Sequence, residues 1–203
     1  MDAKTHKSEL TRATIVDTAL QLAADEGLEA INLQVVADRA GMSKSGVFSR
    51  VGSREALQKA VIEEYGRRFL GDVFVPAMQA PKGLPRLDGI VQRWITRVHL
   101  VEVHSGCLYT AGAFELDDRE GELRDLLLNE VTRWRAALRR TVLQAIEAGH
   151  LRPDTDPELM VSEIYGAIMV LLHDVRFLRD THAAQRAQAC LLYTSPSPRD
   201  LST

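Results

Sequence analysis

The stretch from Ile31 to Leu57 constrains the fold more than any other part of the chain, because it describes two short helices joined by a tight turn. Asn32 is a strong N-cap for a first helix that runs to about Ala40. Gly41 can adopt the left-handed conformation that ends this helix, and Ser43 can cap the next one. This layout predicts a helix-turn-helix, an arrangement that often binds DNA.

Apolar residues beside the two caps support this layout. Ile31 precedes the first cap and can pack on Val36, and Met42 can pack on Val47 in the same way. Ala37 is small at the point where the two helices must cross closely. These positions predict a compact two-helix unit with its own apolar centre.

The charges of this region favour contact with DNA. Four cations and no carboxylate lie between residues 39 and 54, namely Arg39, Lys44, Arg50 and Arg54. The exposed side of the second helix would carry Lys44, Ser45, Gly46, Ser49 and Arg50, which are small or hydrogen-bonding groups suited to the major groove. The alternative is a helical hairpin with a solvated face, but such a face more often carries charges of both signs.

Two adjacent segments, TRATIVDTALQLAADEG and INLQVVADRAGMSKSGVFSRVGSREAL, resemble the DNA-binding domain of the tetracycline-repressor (TetR) family of bacterial regulators. The resemblance covers roughly the first quarter of the chain. It implies a repressor that binds an inverted-repeat operator in double-stranded DNA as a homodimer and is released by a small apolar effector. The exposed residues of the second helix would then face the base edges, and Gln34 and Arg54 would hold phosphates.

The end of the second helix departs from the family's usual pattern of an aromatic, any residue, His and then Phe. This chain has Phe48, Ser49, Arg50 and Val51 at those positions. Phe48 lacks the hydroxyl that a Tyr there often gives to a phosphate, and Arg50 adds a permanent charge in place of His. The family's operator sequences therefore do not transfer to this chain.

Composition limits the broad class of protein. The 203 residues are 45% hydrophobic, which is enough to form the cores of a small DNA-binding domain and one further helical domain. The net charge of −3 argues against a protein that coats nucleic acid without sequence preference, because such a protein would be basic throughout.

The polar N-terminus does not resemble a signal peptide, and the most apolar run, 166–172, is too short to span a bilayer. With only two cysteines far apart, we expect a cytoplasmic protein without membrane contact.

The rest of the chain predicts an all-α fold. We expect a helix-turn-helix domain at 8–53 and a helical effector-binding and dimerisation domain at 54–189. Predicted helices run from Arg54 to about Val75, from Leu84 or Leu87 to about His104, from Glu120 to Ala148 and from Glu158 to Leu178.

The last two of these helices carry apolar residues on more than one face, so each needs more than one partner. A dimer interface with the same helix pair of a second subunit is predicted along a stripe to which the first helix contributes Leu127 and Trp134 and the second contributes Ile164, Ile168, Leu171 and Val175. The alternative is a central helix that is buried within a single chain.

Five aromatic or polar-tipped residues that follow the DNA-binding domain are candidates for the lining of an effector pocket: Trp94, His99, Tyr109, Phe114 and Trp134. For any one of them, core packing is the simpler interpretation. The group of His99, Glu102, His104 and Cys107 does not match a standard zinc spacing, and no catalytic or phosphate-loop motif is present. We therefore predict no enzyme activity, metal or cofactor. A helical protein-interaction or dimerisation module without ligand response, or an enzyme, remains the alternative class.

Residues 190–203 read CLLYTSPSPRDLST, where the helical pattern stops and Ser-Pro pairs begin. They are interpreted either as a native disordered tail or as a translated adaptor sequence that replaces the native end of the last helix. The string LLYTSPSPRD favours the second interpretation, and no function is assigned to it.

Overall fold

The computed structural model describes the backbone of residues 3–194 and the side-chain environment of residues 8–190. Within these bounds the secondary structure is entirely helical, as predicted. The main helices are α1 (Ala3–Glu26), α2 (Leu33–Ala40), α3 (Lys44–Val51), α4 (Arg54–Phe69), α5 (Leu84–Arg97), α6 (Leu108–Leu116), α7 (Glu122–Glu147), α8 (Pro157–His173) and α9 (Ala183–Thr194). A 3-10 turn, Leu28–Ala30, joins α1 to α2.

The helix predicted from Arg54 to Val75 continues past α4 through a π-helical turn, Leu70–Phe74, and a last α-helical turn, Val75–Ala77. In the π turn, the N–H of Val75 donates to the carbonyl of Leu70, five residues earlier. Pro76 follows directly and has no N–H to donate to the preceding turn. The helix ends one residue later, at Ala77. Similar π turns follow α5 at Val98–Glu102 and α8 at Asp174–Leu178.

The chain forms two compact units, and the boundary differs from the predicted one at residues 53/54. Of the described residues, the first unit contains those up to Arg68 together with Cys107–Glu130, and the second contains Phe69–Gly106 and those from Val131 onward. Residues 54–68, α6 and the start of α7, which were predicted to belong to the effector domain, therefore belong to the first unit, which contains the helix-turn-helix. Sequence periodicity could not indicate this, because it does not report which helix packs on which.

The first unit has a core of fully buried aliphatic side chains from α1, α2, α3 and α4, which include Ile15, Leu22, Val36, Val47 and Leu57. Helix α6 packs against α4 in this unit. Tyr65 and Tyr109 meet edge to face with ring centroids 4.8 Å apart. A Cβ on Gly66 would lie 2.5 Å from the Tyr109 hydroxyl, so close packing explains this glycine.

An aromatic cluster forms the centre of the second unit. Trp134 meets Phe69, Phe74 and Trp94 edge to face, with ring centroids 4.7–5.7 Å apart. Trp94 also meets Tyr165 of α8 at 5.1 Å. Beside the cluster, the buried Arg97 donates from Nε to Glu102 Oε1 at 3.0 Å and also pairs with Asp72.

The predicted dimer stripe lies inside the protomer, so that prediction was wrong for five of its six residues. Trp134, Ile164, Ile168 and Leu171 are at most 4% exposed in the second unit, and Leu127 is buried in the first. Only Val175 is partly exposed. These apolar positions belong to the faces that pack on the chain itself, which is the alternative that the periodicity had left open.

Helix α9 continues through residues 190–194 to Thr194, beyond the predicted end at Ala189. The remaining tail residues, 195–203, lie outside the described part of the chain. Among the residues that the structure describes, no helix combines the length and apolarity needed to cross a bilayer.

Candidate DNA-binding surface

Two capped helices form the helix-turn-helix where the sequence predicted them. Asn32 adopts an extended conformation, and its side chain accepts from the N–H of Gln34 at 2.8 Å at the start of α2. Gly41 ends α2 with φ 65°, in the left-handed region that favours glycine. The Ser43 hydroxyl then accepts from the N–H of Gly46 at 3.1 Å at the start of α3. Both N-caps and the turn are confirmed.

The apolar centre of this motif is also as predicted. Ile31, Val36, Ala37 and Val47 are fully buried. Val51, which stands where the family usually has Phe, is 9% exposed and closes the end of α3. Because α3 is anchored by these side chains on one face only, its other face is available to a partner.

The exposed face of α3 carries Lys44, Ser45, Phe48, Ser49 and Arg50. Two of its polar groups are oriented by their own helix. Ser49 Oγ donates to the carbonyl of Gly46 at 2.9 Å, and Arg50 donates to the same carbonyl at 3.0 Å. Phe48 is 58% exposed and therefore presents an aromatic ring to solvent among cations and hydroxyls.

The local positive charge is smaller than the sequence window indicated. Arg39 pairs with Glu26 at 2.6 Å and with Asp25 at 3.4 Å, so carboxylates at the end of α1 neutralise it. These acids lie 13 and 14 positions before Arg39, outside the window of residues 39–54. Lys44 and Arg50 therefore supply the positive charge of the exposed α3 face.

Arg54 and Gln34, the two predicted phosphate contacts, both have partners within the protein. Arg54 donates from Nε to the carbonyl of Ile31 at 2.8 Å and from one terminal nitrogen to the carbonyl of Glu29 at 2.6 Å. Gln34 Nε2 donates to Asp38 Oδ1 at 2.8 Å. The Arg54 guanidinium thus fixes the chain ahead of α2, a role that the sequence did not reveal because the acceptors are backbone carbonyls.

The five residues predicted for the effector pocket do not come together in one place. Trp94 and Trp134 share the aromatic cluster of the second unit, where both are 4% exposed. His99 is exposed on the π turn after α5. Tyr109 and Phe114 belong to the first unit, where Tyr109 is buried and Phe114 is 65% exposed. Only the tryptophan pair remains a candidate.

Glu102 and Cys107, two members of the group that was considered for zinc, have partners within the protein. Glu102 is ion-paired with Arg97, and Tyr65 donates its hydroxyl hydrogen to Cys107 Sγ at 3.2 Å. Within the described part of the chain, no three His, Cys, Asp or Glu residues are grouped as they would be around a metal ion.

Two family models match the chain. The model described as "Bacterial regulatory proteins, tetR family" matches residues 15–61, which contain α2 and α3. The model described as "Tetracyclin repressor-like, C-terminal domain" matches residues 83–191, more than half of the chain. No curated protein matches the sequence.

Solved structures show the same fold at low sequence identity. A TetR transcriptional regulator from Chloroflexus aurantiacus J-10-FL has a TM-score of 0.83 at 20% identity, over 95% of this chain and 98% of that chain. AibR, solved with isovaleryl coenzyme A and operator DNA, has a TM-score of 0.71 at 20% identity, over 92% and 99%. The ketosteroid regulator KstR2 of Mycobacterium tuberculosis has a TM-score of 0.66 at 20% identity, over 90% and 91%. The capped helix-turn-helix and both family models lead to one conclusion: the chain belongs to the TetR family of bacterial transcriptional regulators.

Proposed function

We propose that this protein is a ligand-responsive repressor that binds an inverted-repeat operator as a homodimer and leaves it when a small apolar molecule binds. The observation that carries the proposal is the exposed α3 face, where Lys44, Ser45, Ser49 and Arg50 surround an exposed Phe48. Hydrogen-bond donors and small side chains on a short, anchored helix suit the major groove, where base edges present a distinct pattern of acceptors.

Phe48 would contribute to base recognition in a way that the family's usual tyrosine does not. It has no hydroxyl for a phosphate, and an apolar ring in the major groove is complementary to the methyl group of thymine. The ring lies between Lys44 and Ser49 along the helix, so it would reach the same base pairs as these polar groups. We therefore expect a thymine in each half-site.

The operator can be found by selection from a pool of random duplexes with the purified protein. The enriched sequences are expected to contain an inverted repeat whose half-sites lie about one helical turn apart. Affinity for a selected duplex should fall steeply with salt, because each neutralised phosphate releases counterions. A pool without enrichment would contradict operator binding and favour an interaction module instead.

A second face of α8 is proposed for the dimer, in place of the buried stripe. Leu159, Met169, Val170 and Phe177 are exposed along the helix and its π turn, at spacings that place them on one side. Gly166 lies between them, and a Cβ there would meet no atom within 4 Å. An apolar surface with a central glycine permits close packing against the same helix of a second copy.

The mass of the protein in solution tests this surface. Val170→Glu places a charge on it and should produce monomers, since an unpaired charge in an apolar interface is costly. Val75→Glu is a matched control, because Val75 is also 60% exposed but lies elsewhere on the second unit. Light scattering should report a dimer for the control and a monomer for Val170→Glu; two dimers would place the interface on another surface.

The effector is proposed to contact the tryptophan pair in the second unit. The Nε1 atoms of Trp94 and Trp134 are buried and have no hydrogen-bond acceptor among the described residues. A buried donor without an acceptor is unfavourable by about 1–3 kcal/mol. A flat apolar molecule with an oxygen acceptor beside these indole groups would satisfy them, and AibR, which has the same fold, was solved with a small molecule, isovaleryl coenzyme A.

Tryptophan fluorescence provides the test. Acyl coenzyme A esters and steroid ketones are titrated into the protein, and molecules that change the fluorescence are then added to the operator complex. Release of the DNA is expected only for molecules that bind one conformation of the protein more tightly than the other. Molecules that bind near the tryptophans without changing operator affinity would refute induction and leave the second unit a dimerisation role.

A further inference from the structure

The segment between α1 and α2, residues 27–31, is held by side chains from other parts of the first unit; we call this segment the joint. Its carbonyl groups are fixed by α4. Gln58 Nε2 donates to the carbonyl of Leu28 at 2.9 Å, and Arg54 donates to two further carbonyls of the joint. Leu28 is also fully buried.

Two N–H groups of the joint are held by one carboxylate from a distant part of the sequence. Glu115, on α6, accepts from the N–H of Leu28 at 2.9 Å and from the N–H of Glu29 at 2.7 Å. A separate oxygen atom receives each bond, so the contact uses both oxygens of an ionised carboxylate. In the same orientation, an amide side chain would place its NH2 group against one of the two N–H donors, so it would keep only one of the two bonds.

Glycines on both sides allow this close approach. Gly27 has φ 93°, and a Cβ there would lie 3.1 Å from both Glu115 oxygens. One turn before Glu115 on α6, a Cβ on Gly112 would lie 3.0 Å from a methyl group of Leu28. Helix α6 therefore packs directly on the joint, and the two hydrogen bonds belong to a larger area of contact.

We propose that Glu115 is a positioning residue for operator binding, an inference that rests on the proposed function. The joint ends one residue before Asn32, the N-cap of α2. Its conformation therefore sets the direction in which α2 and α3 leave α1. By fixing the joint, the Glu115 carboxylate keeps α3 in the orientation that fits the major groove.

The test compares Glu115→Gln with Glu120→Gln, which removes an exposed carboxylate from the loop that follows α6. The probe is a duplex that the wild-type protein selects from a random pool. Thermal melts first establish the temperature at which every variant is folded. Affinity for this duplex and hydrogen exchange at the amides of Leu28 and Glu29 are then measured at that temperature.

For Glu115→Gln we expect about tenfold weaker operator binding, a typical effect of losing one charge-assisted hydrogen bond. We also expect faster exchange at the Leu28 and Glu29 amides, while Glu120→Gln behaves as wild type in both measurements. Glu115→Asp keeps the charge but is shorter by one methylene, so it should lie between wild type and Glu115→Gln.

Unchanged exchange at both amides would show that the carboxylate does not hold the joint and would overturn the proposal. Faster exchange with operator affinity within twofold of wild type would overturn it as well, because Glu115 would then have a structural role only. If the wild-type protein selects no duplex, the proposed function itself fails, and this is evident before any variant is made.

Discussion

Replacing Arg54 with alanine distinguishes the role seen in the structure from the one expected from the sequence. Arg54 donates to the carbonyls of Ile31 and Glu29 at 2.8 and 2.6 Å, and it lies 3.2 Å from the Glu29 carboxylate. Alanine would leave both carbonyls without this donor at the end of the joint. The loss should therefore appear in the stability of the free protein, before any DNA is added.

The expected size of this loss follows from the exposure of the guanidinium. A hydrogen bond to a charged group contributes about 1.5–3 kcal/mol, and two such bonds would be worth more if they were fully buried. The Arg54 side chain is 46% exposed, so water replaces part of the interaction. We expect Arg54→Ala to lower the free energy of unfolding by about 2 kcal/mol. Arg54→Lys should recover less than half of it, because an ammonium group lacks the planar fork of donors.

Urea unfolding of the three proteins, followed by operator titration at several salt concentrations, decides between the roles. The structure predicts that Arg54→Ala is less stable than wild type and that its salt dependence of DNA binding is nearly unchanged. Unchanged stability together with a salt slope reduced by about one would refute this reasoning, because that combination is expected for a side chain that binds a phosphate.

Three further predictions concern other contacts. Hydrogen bonds from Arg67 and Arg68 lower the pKa of Glu64 to about 2 in the folded protein. This shift stabilises the protein above pH 4.5, and the stability should be lost as the pH falls from 4.5 to 2. Acid unfolding of Glu64→Gln should therefore depend less on pH in this range than that of the wild type. Glu102→Gln removes the fully buried partner of Arg97 and should lower the free energy of unfolding by about 2 kcal/mol, because Arg97 keeps its second, half-exposed partner Asp72. A urea midpoint equal to that of the wild type would contradict a buried ion pair. Gly66→Ala should lower the melting temperature through its clash with the Tyr109 hydroxyl, and adding Tyr109→Phe should restore it; a double variant as unstable as the single one would refute this cause.

Local signals in the sequence were enough to predict the helix-turn-helix. Each N-cap is a polar side chain within three residues of the N–H that it accepts from, and the turn at Gly41 requires a left-handed conformation that glycine adopts most easily. Such features depend on neighbours along the chain. The positions of α2 and α3, and the exposed face of α3, therefore follow from residues 31–57 alone.

Contacts between residues far apart in sequence could not be predicted in this way. Glu115 lies 86 and 87 positions from the two amides that it binds, and nothing in its immediate neighbours marks it. The dimer stripe failed for a related reason. Helical periodicity identifies an apolar face, but it does not indicate whether that face packs on the same chain or on a second copy. Ile168 and Val170 are two residues apart, yet one is buried and the other is exposed.

The most direct test of the account is the affinity of Arg50→Ala for a selected duplex and for duplexes that each carry one substituted base pair, with Arg93→Ala, a change at an exposed arginine of α5, as the control. If α3 reads the operator, Arg50→Ala should lose about 1–3 kcal/mol of discrimination at one base pair in each half-site, and the control should lose none. Equal discrimination by wild type and Arg50→Ala would contradict base recognition by Arg50. If substitutions at Lys44 and Phe48 also left it unchanged, the exposed face of α3 would not be the surface that reads DNA.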